Sequence, residues 1–125
     1  MSTHGEFTIQ AELHTTGRWI TVPLVVGGRR TLAAVLDTGS PVSAISPQTH
    51  RRLLTAGLLL PAVGRDRHRL MNLSVAGQPL PPLEIAIIRR LDRLDVDAVL
   101  GLDFLAQFAT IHFDTRTFRL VLGRM

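Results

Sequence analysis

The sequence predicts an all-β domain, closed or sandwich-like, with one or two short helices. Three observations carry that expectation: short segments rich in apolar and β-branched residues recur along the chain, turn residues interrupt them, and only two stretches read as helix. A chain of 125 residues holds one buried core and not two, so one domain over residues 1–125 is expected.

Glu6 to His14 and Trp19 to Val26 alternate loosely around Thr15-Thr16-Gly17 and read as a hairpin. Gly27-Gly28 then offers a two-residue turn of type I′, since both glycines accept positive φ. The next strand runs to Leu36 and ends at Asp37. Val42 to Ser46 reads as a short strand stopped by Pro47, and Thr49 to Gly57 as a brief helix with Ser46 or Thr49 near its start. Val63 to Val75 and Leu83 to Ile88 flank turn residues Ala76 to Pro79, which suggests a second long hairpin. Arg89 to Asp95 is charged and reads as solvated. Val96 to Leu100 reads as a buried strand, Asp103 to Phe108 as a short helix, and Ile111 to Phe113 pairs with Phe118 to Leu122 across Asp114 to Thr117.

Composition removes several classes of function. The chain has no Cys, which excludes disulfides, a zinc ribbon and thiol catalysis. Its formal charge is +4 and every one of its 14 basic residues is Arg, but these are scattered and aromatics are only 5%, so no nucleic-acid partner is expected. No apolar stretch approaches the roughly 20 residues that span a bilayer. No signal peptide is visible at Met1 to Glu6, which favours a soluble, cytoplasmic protein.

One run carries chemistry. Val35-Leu36-Asp37-Thr38-Gly39-Ser40 delivers a carboxylate from an apolar strand into a tight turn. A carboxylate so placed needs partners. Gly39 lets backbone amides approach it, Ser40 offers a hydroxyl donor, and Thr38 can hydrogen-bond across an interface. A second block, Ala98-Val99-Leu100-Gly101-Leu102-Asp103-Phe104-Leu105, leads an apolar strand into a helix. Asp103 there reads as a helix cap. Asp114-Thr115 resembles the first run, but Arg116 stands where Gly is required, so Asp114 reads as the opening of a β-turn.

The two blocks, in this order, resemble the retropepsin-like aspartic proteases, single-lobe enzymes with bacterial as well as retroviral members. The resemblance covers about Trp19 to Leu122 and implies a closed, barrel-like acid protease fold whose active form is a homodimer. Peptide hydrolysis by this route uses two carboxylates about 3 Å apart that share a proton. The chain has one Asp-Thr-Gly, so a twofold axis beside Asp37 is expected to supply the other. The expected chemistry calls for no metal and no cofactor.

By the same resemblance Asp37 is the catalytic acid and base, Thr38 and Gly39 shape the turn, and Ser40 donates to the carboxylate, favouring an acid optimum. Val35, Val99 and Leu100 are expected to line apolar pockets, which suits cleavage between hydrophobic residues. A flap is expected near Val63 to Leu70 with Gly64 at its bend, and Arg65, Arg67 and Arg69 on one face could favour acidic substrates. Retroviral enzymes carry an acidic residue and an Arg where this chain has Pro41 and Leu102, so their substrate contacts do not transfer. The alternative is a catalytically weak member serving as a dimerisation and peptide-binding module.

Overall fold

The computed structural model describes residues 7–60 and 67–124. Its strands are β1 (Phe7–Glu12), β2 (His14–Thr16), β3 (Trp19–Val26), β4 (Arg30–Leu36) and β5 (Ser43–Ile45), followed by helix α1 (Pro47–Thr55). Then come β6 (Leu59–Leu60), β7 (Arg67–Leu70), β8 (Leu73–Val75), β9 (Gln78–Leu80), β10 (Leu83–Ile87) and a 3₁₀ turn, Arg89–Leu94. Strand β11 (Ala98–Leu100), helix α2 (Leu102–Leu105) and the pair β12 (Thr110–Asp114) and β13 (Arg119–Arg124) complete the chain. The large sheet runs β6-β7-β10-β5-β11-β4-β3-β8-β9, with β2 on β3, and a smaller sheet runs β1-β13-β12. The all-β expectation holds.

Turn chemistry explains much of this order. Gly27 and Gly28 have φ of 62° and 69°, the left-handed pair that a tight β3–β4 hairpin needs. Ser46 caps α1 by accepting a hydrogen bond from the Thr49 amide at 3.0 Å, and Pro47 occupies the first turn, where no amide is needed. The helix buries Thr49 and Leu53, four residues apart on one face. In the last hairpin, Asp114 accepts from the Thr117 and Arg116 amides, which hold its carboxyl below the usual range and confirm its place as a turn opener.

Two expected pairings are corrected. The segment from Glu6 to His14 is not one arm of a hairpin: β1 pairs with β13, Ile9 opposite Leu122 and Ala11 opposite Leu120, and only β2 turns back on β3. Alternation buries Ile9 and Ala11 but does not say against what. Of the segment expected from Val63 to Val75, the described part, Arg67 to Val75, is also broken. Asn72 adopts φ 54°, which Asn tolerates better than most residues, so β7 pairs with β10 while β8 and β9 form a separate hairpin.

The core is continuous across both sheets. Leu24, Leu53, Leu70, Leu100, Phe104 and Leu122 are almost fully buried, each contributing about 1.5–3 kcal/mol of transfer free energy. Among the described residues no helix is long and apolar enough to cross a membrane. The segment expected to be solvated, Arg89 to Asp95, buries Leu91 and exposes its charged residues.

Helix α1 meets β7 through His50 and His68, whose rings stand edge to face with centroids 4.9 Å apart. His50 Nε2 and His68 Nδ1 are buried and have no hydrogen-bond partner among the described residues. Burial, then the nearby His68 and Arg51, hold His50 below its ordinary pKa of 6.5. The neutral form is therefore favoured by folding. Its contribution is complete above about pH 6.5 and is lost as the pH falls, because the unfolded chain takes up the proton first. Thermal melts at pH 7.5 and 5.5 are expected to show a larger drop for the wild type than for His50→Gln; parallel drops would refute this.

Candidate active site

Asp37 stands at the head of β4, where the strand leaves the sheet. Strand β11 lies between β4 and β5, parallel to the first and antiparallel to the second, with Val99 opposite Val35 and Leu100 opposite Leu36. The turn from Asp37 to Val42 must therefore arch over the end of β11. Three hydrogen bonds fasten the turn and the start of β5 there. The Asp37 amide donates to the Leu100 carbonyl at 2.9 Å, the Leu102 amide to the Ser40 carbonyl at 2.8 Å, and the Gly101 amide to Ser43 Oγ at 3.0 Å.

Gly101 is what allows the approach. A Cβ on it would lie 2.5 Å from the Ser40 carbonyl oxygen and 2.7 Å from that of Val42, both backbone atoms that cannot swing aside. Asp103, expected as a cap, does more than accept the Phe104 amide at 2.8 Å. Its carboxylate also accepts from the Ser43 amide at 3.0 Å and the Ser43 hydroxyl at 2.6 Å, tying α2 to β5. The second sequence block thus forms the floor under the first.

Within the turn, the Gly39 amide donates to Asp37 Oδ1 at 2.8 Å, and the Ser40 amide to the Asp37 carbonyl at 3.2 Å. The carboxylate folds back on its own turn as Asp does in such settings. Thr38 is exposed beside it. The Ser40 hydroxyl does not reach the carboxylate, contrary to expectation. It donates to the Val42 carbonyl at 2.7 Å, because the turn aims it along the backbone towards β5. Ser40 is thus a brace of the turn, and the acid optimum loses its expected cause.

Asp37 opens on cavities at either side. One, of about 280 Å³, contains Val35 and Val99, side by side in register, with Trp19, Ile88 and Leu94 around them. Leu100, expected in the same lining, is 1% exposed and packs into the core. Val99 faces the cavity and its neighbour Leu100 is turned to the opposite side of the strand, into the core. The other cavity, of about 430 Å³, runs between Asp37, Leu36, Ile20 and Phe113. Gly64 and Arg65 lie outside the described residues. Arg67 and Arg69 share one face of β7, and each approaches a Glu84 carboxylate oxygen at 3.8 Å, so their charge is engaged within the molecule. Trp19, Leu94 and Arg90 were not singled out as pocket residues by sequence; a lone Trp at a strand start was the available signal.

Solved structures share the overall fold in which this strand-borne Asp and its floor are set. A retropepsin-like aspartic protease from Rickettsia conorii superimposes with a TM-score of 0.65 over 99% of this chain and 96% of that one, at 14% identity. The fold is retropepsin-like. The retroviral protease-like domain of Ddi1 from Leishmania major gives a TM-score of 0.58 at 18% identity, covering 86% of this chain and 92% of that one. No family model matches the sequence, and no curated protein is significantly similar to it. At these identities the retropepsin-like likeness establishes the fold. The chemistry rests on the residues themselves.

Proposed function

We propose that the chain is an aspartic endopeptidase whose active form is a homodimer. The observation that carries this reading is Asp37, exposed between two largely apolar cavities on a turn held rigidly by the Gly101 floor. Three other carboxylates among the described residues have structural work. Asp103 binds Ser43, Asp97 accepts the Ala33 amide at 2.8 Å, and Asp114 holds its turn. In this reading the second catalytic carboxylate is Asp37 of another copy, since the chain has a single Asp-Thr-Gly. Ile20 and Phe113, both nearly half exposed, flank Asp37 and give a second copy an apolar face to cover.

In the dimer a water lies between the two Asp37 carboxyl groups. The ionised one removes a proton from the water as its oxygen attacks the peptide carbonyl, while the protonated one hydrogen-bonds the carbonyl oxygen. The tetrahedral adduct collapses with the C–N bond breaking, and the leaving nitrogen takes a proton from the dyad. Gly39 keeps each carboxylate oriented through its amide, and Thr38 donates across the axis to its symmetry mate. Val35 and Val99 receive an apolar side chain of the substrate. Denatured protein offered from acid to neutral pH is expected to be cut, pepstatin to block the cutting, and specific activity to follow the dimer fraction seen by sedimentation. A monomer that cuts at full rate would refute the dimer; no cutting at any pH would refute the enzyme.

A further inference from the structure

The cavity beside Asp37 is lined mainly by apolar side chains, with Asp37, Ser40 and Arg90 as the polar exceptions. Arg90 is the single cation among its described lining residues, and the same side chain lines a second, open groove of about 510 Å³ with Pro47, Arg89, Asp92 and Arg93. That groove sets three guanidinium groups against one carboxylate. Asp92 is partly engaged, since its Oδ1 accepts the Gln48 amide at 3.2 Å. Ion pairs among the described residues involve Arg67 and Arg69 with Glu84, so Arg89, Arg90 and Arg93 keep their charge available.

The 3₁₀ turn explains why both features meet. Residues three apart eclipse in such a helix. Leu91 and Leu94 thus fall on one face and line the cavity, while Arg90 and Arg93 fall on another and line the groove, with Arg90 reaching the cavity rim as well. Leu91 is 5% exposed and anchors the turn, and the α1 contact through Gln48 fixes its other side. The guanidinium groups therefore ride on a settled backbone.

An extended peptide rises about 3.3 Å per residue with side chains alternating. A peptide seated with one apolar side chain beside Val35 and Val99 carries its next residues past Arg90. We propose that this site selects peptides in which the apolar residue is followed or preceded, within a few positions, by Asp or Glu that the Arg89, Arg90 and Arg93 groove receives. The proposal rests on the reading of Asp37 as the centre of a peptide-binding cleft. It moves the expected acid preference from β7, where Glu84 engages the arginines, to the 3₁₀ turn.

The test is binding, separate from turnover. Fluorescein-labelled peptides that share an apolar core and differ by Glu against Gln at the flanking positions are titrated against the full chain carrying Asp37→Asn. At low ionic strength the Glu peptide is expected to bind about fivefold more tightly. The ratio should fall towards one in 1 M salt, where the screening length is about 3 Å. It should fall likewise when Arg89, Arg90 and Arg93 are all changed to Gln, and in part for Arg90→Gln alone. Equal affinities for the two peptides at low salt would overturn the proposal. A ratio that the arginine substitutions leave intact, in folded variants, would overturn it too. Acid-selective binding by a wild type that cuts no peptide would support the groove and refute only the hydrolytic reading.

Discussion

Asp37→Asn is expected to lower peptide hydrolysis by about 10³-fold or more while the protein still folds and dimerises. The substitution separates chemistry from structure because of the contact seen at Asp37. Its Oδ1 accepts the Gly39 amide, and an Asn oxygen can accept the same bond, so the turn keeps its shape. An amide cannot take the proton from water or share one with its mate. A second readout follows from the proposed symmetry. Each site needs one Asp37 from each chain, so adding excess Asp37→Asn protein to wild type should draw wild-type chains into dimers with one carboxylate and depress activity beyond simple dilution. Activity that survives the substitution would show that Asp37 is not the reacting group. Activity that disappears in the variant but is untouched on mixing, under conditions where chains exchange, would show that the site does not straddle two copies.

Gly101→Ala is expected to destabilise the fold by about 3 kcal/mol. The reason is space, not backbone conformation, since Gly101 has φ −95°, open to any residue. Its missing Cβ is the gap through which the Ser40 and Val42 carbonyls approach. Gly123→Ala provides the comparison. There a Cβ would first meet the Thr110 hydroxyl, a side-chain tip that can rotate, with the next atom at 3.6 Å. Urea unfolding should therefore show a much lower midpoint for Gly101→Ala than for Gly123→Ala. Because the Asp37 amide bonds to Leu100 and the Leu102 amide to Ser40 on either side of the glycine, activity should fall further than stability at temperatures where the variant remains folded. Equal midpoints for the two variants would mean that the turn is not wedged as described.

What the sequence made legible was local. The Gly27-Gly28 turn, the Ser46 cap, the Asp114 turn and the Asp37 turn each depend on a few adjacent residues whose backbone demands are specific, and each stands where expected. Partner choice was not legible. The pattern of β1 shows that Ile9 and Ala11 face a core, and β13 is the partner only because the chain returns there more than a hundred residues later. The alternation of β11 separates Val99, which faces the cavity, from Leu100, which is buried in the core. The sequence offers the Ser40 hydroxyl the Asp37 carboxylate as an acceptor, and only the three-dimensional path of the turn sends it to the Val42 carbonyl instead. Arg90 read as one solvated charge among several because nothing in Arg89 to Asp95 says that the segment borders the Asp37 cavity.

The threading of β11 between β4 and β5 has a consequence in time. Ala33 and Asp97, which bond across this junction, are 64 residues apart in the chain, and the turn that carries Asp37 has no floor until residues 98 to 102 arrive. Contacts of such long sequence separation form late, after the loops that close them have been ordered. During synthesis the strand bearing Asp37 leaves the ribosome well before the strand that supports it. The growing chain therefore carries the Asp37 carboxylate long before it carries the strand and helix start that hold its turn in place.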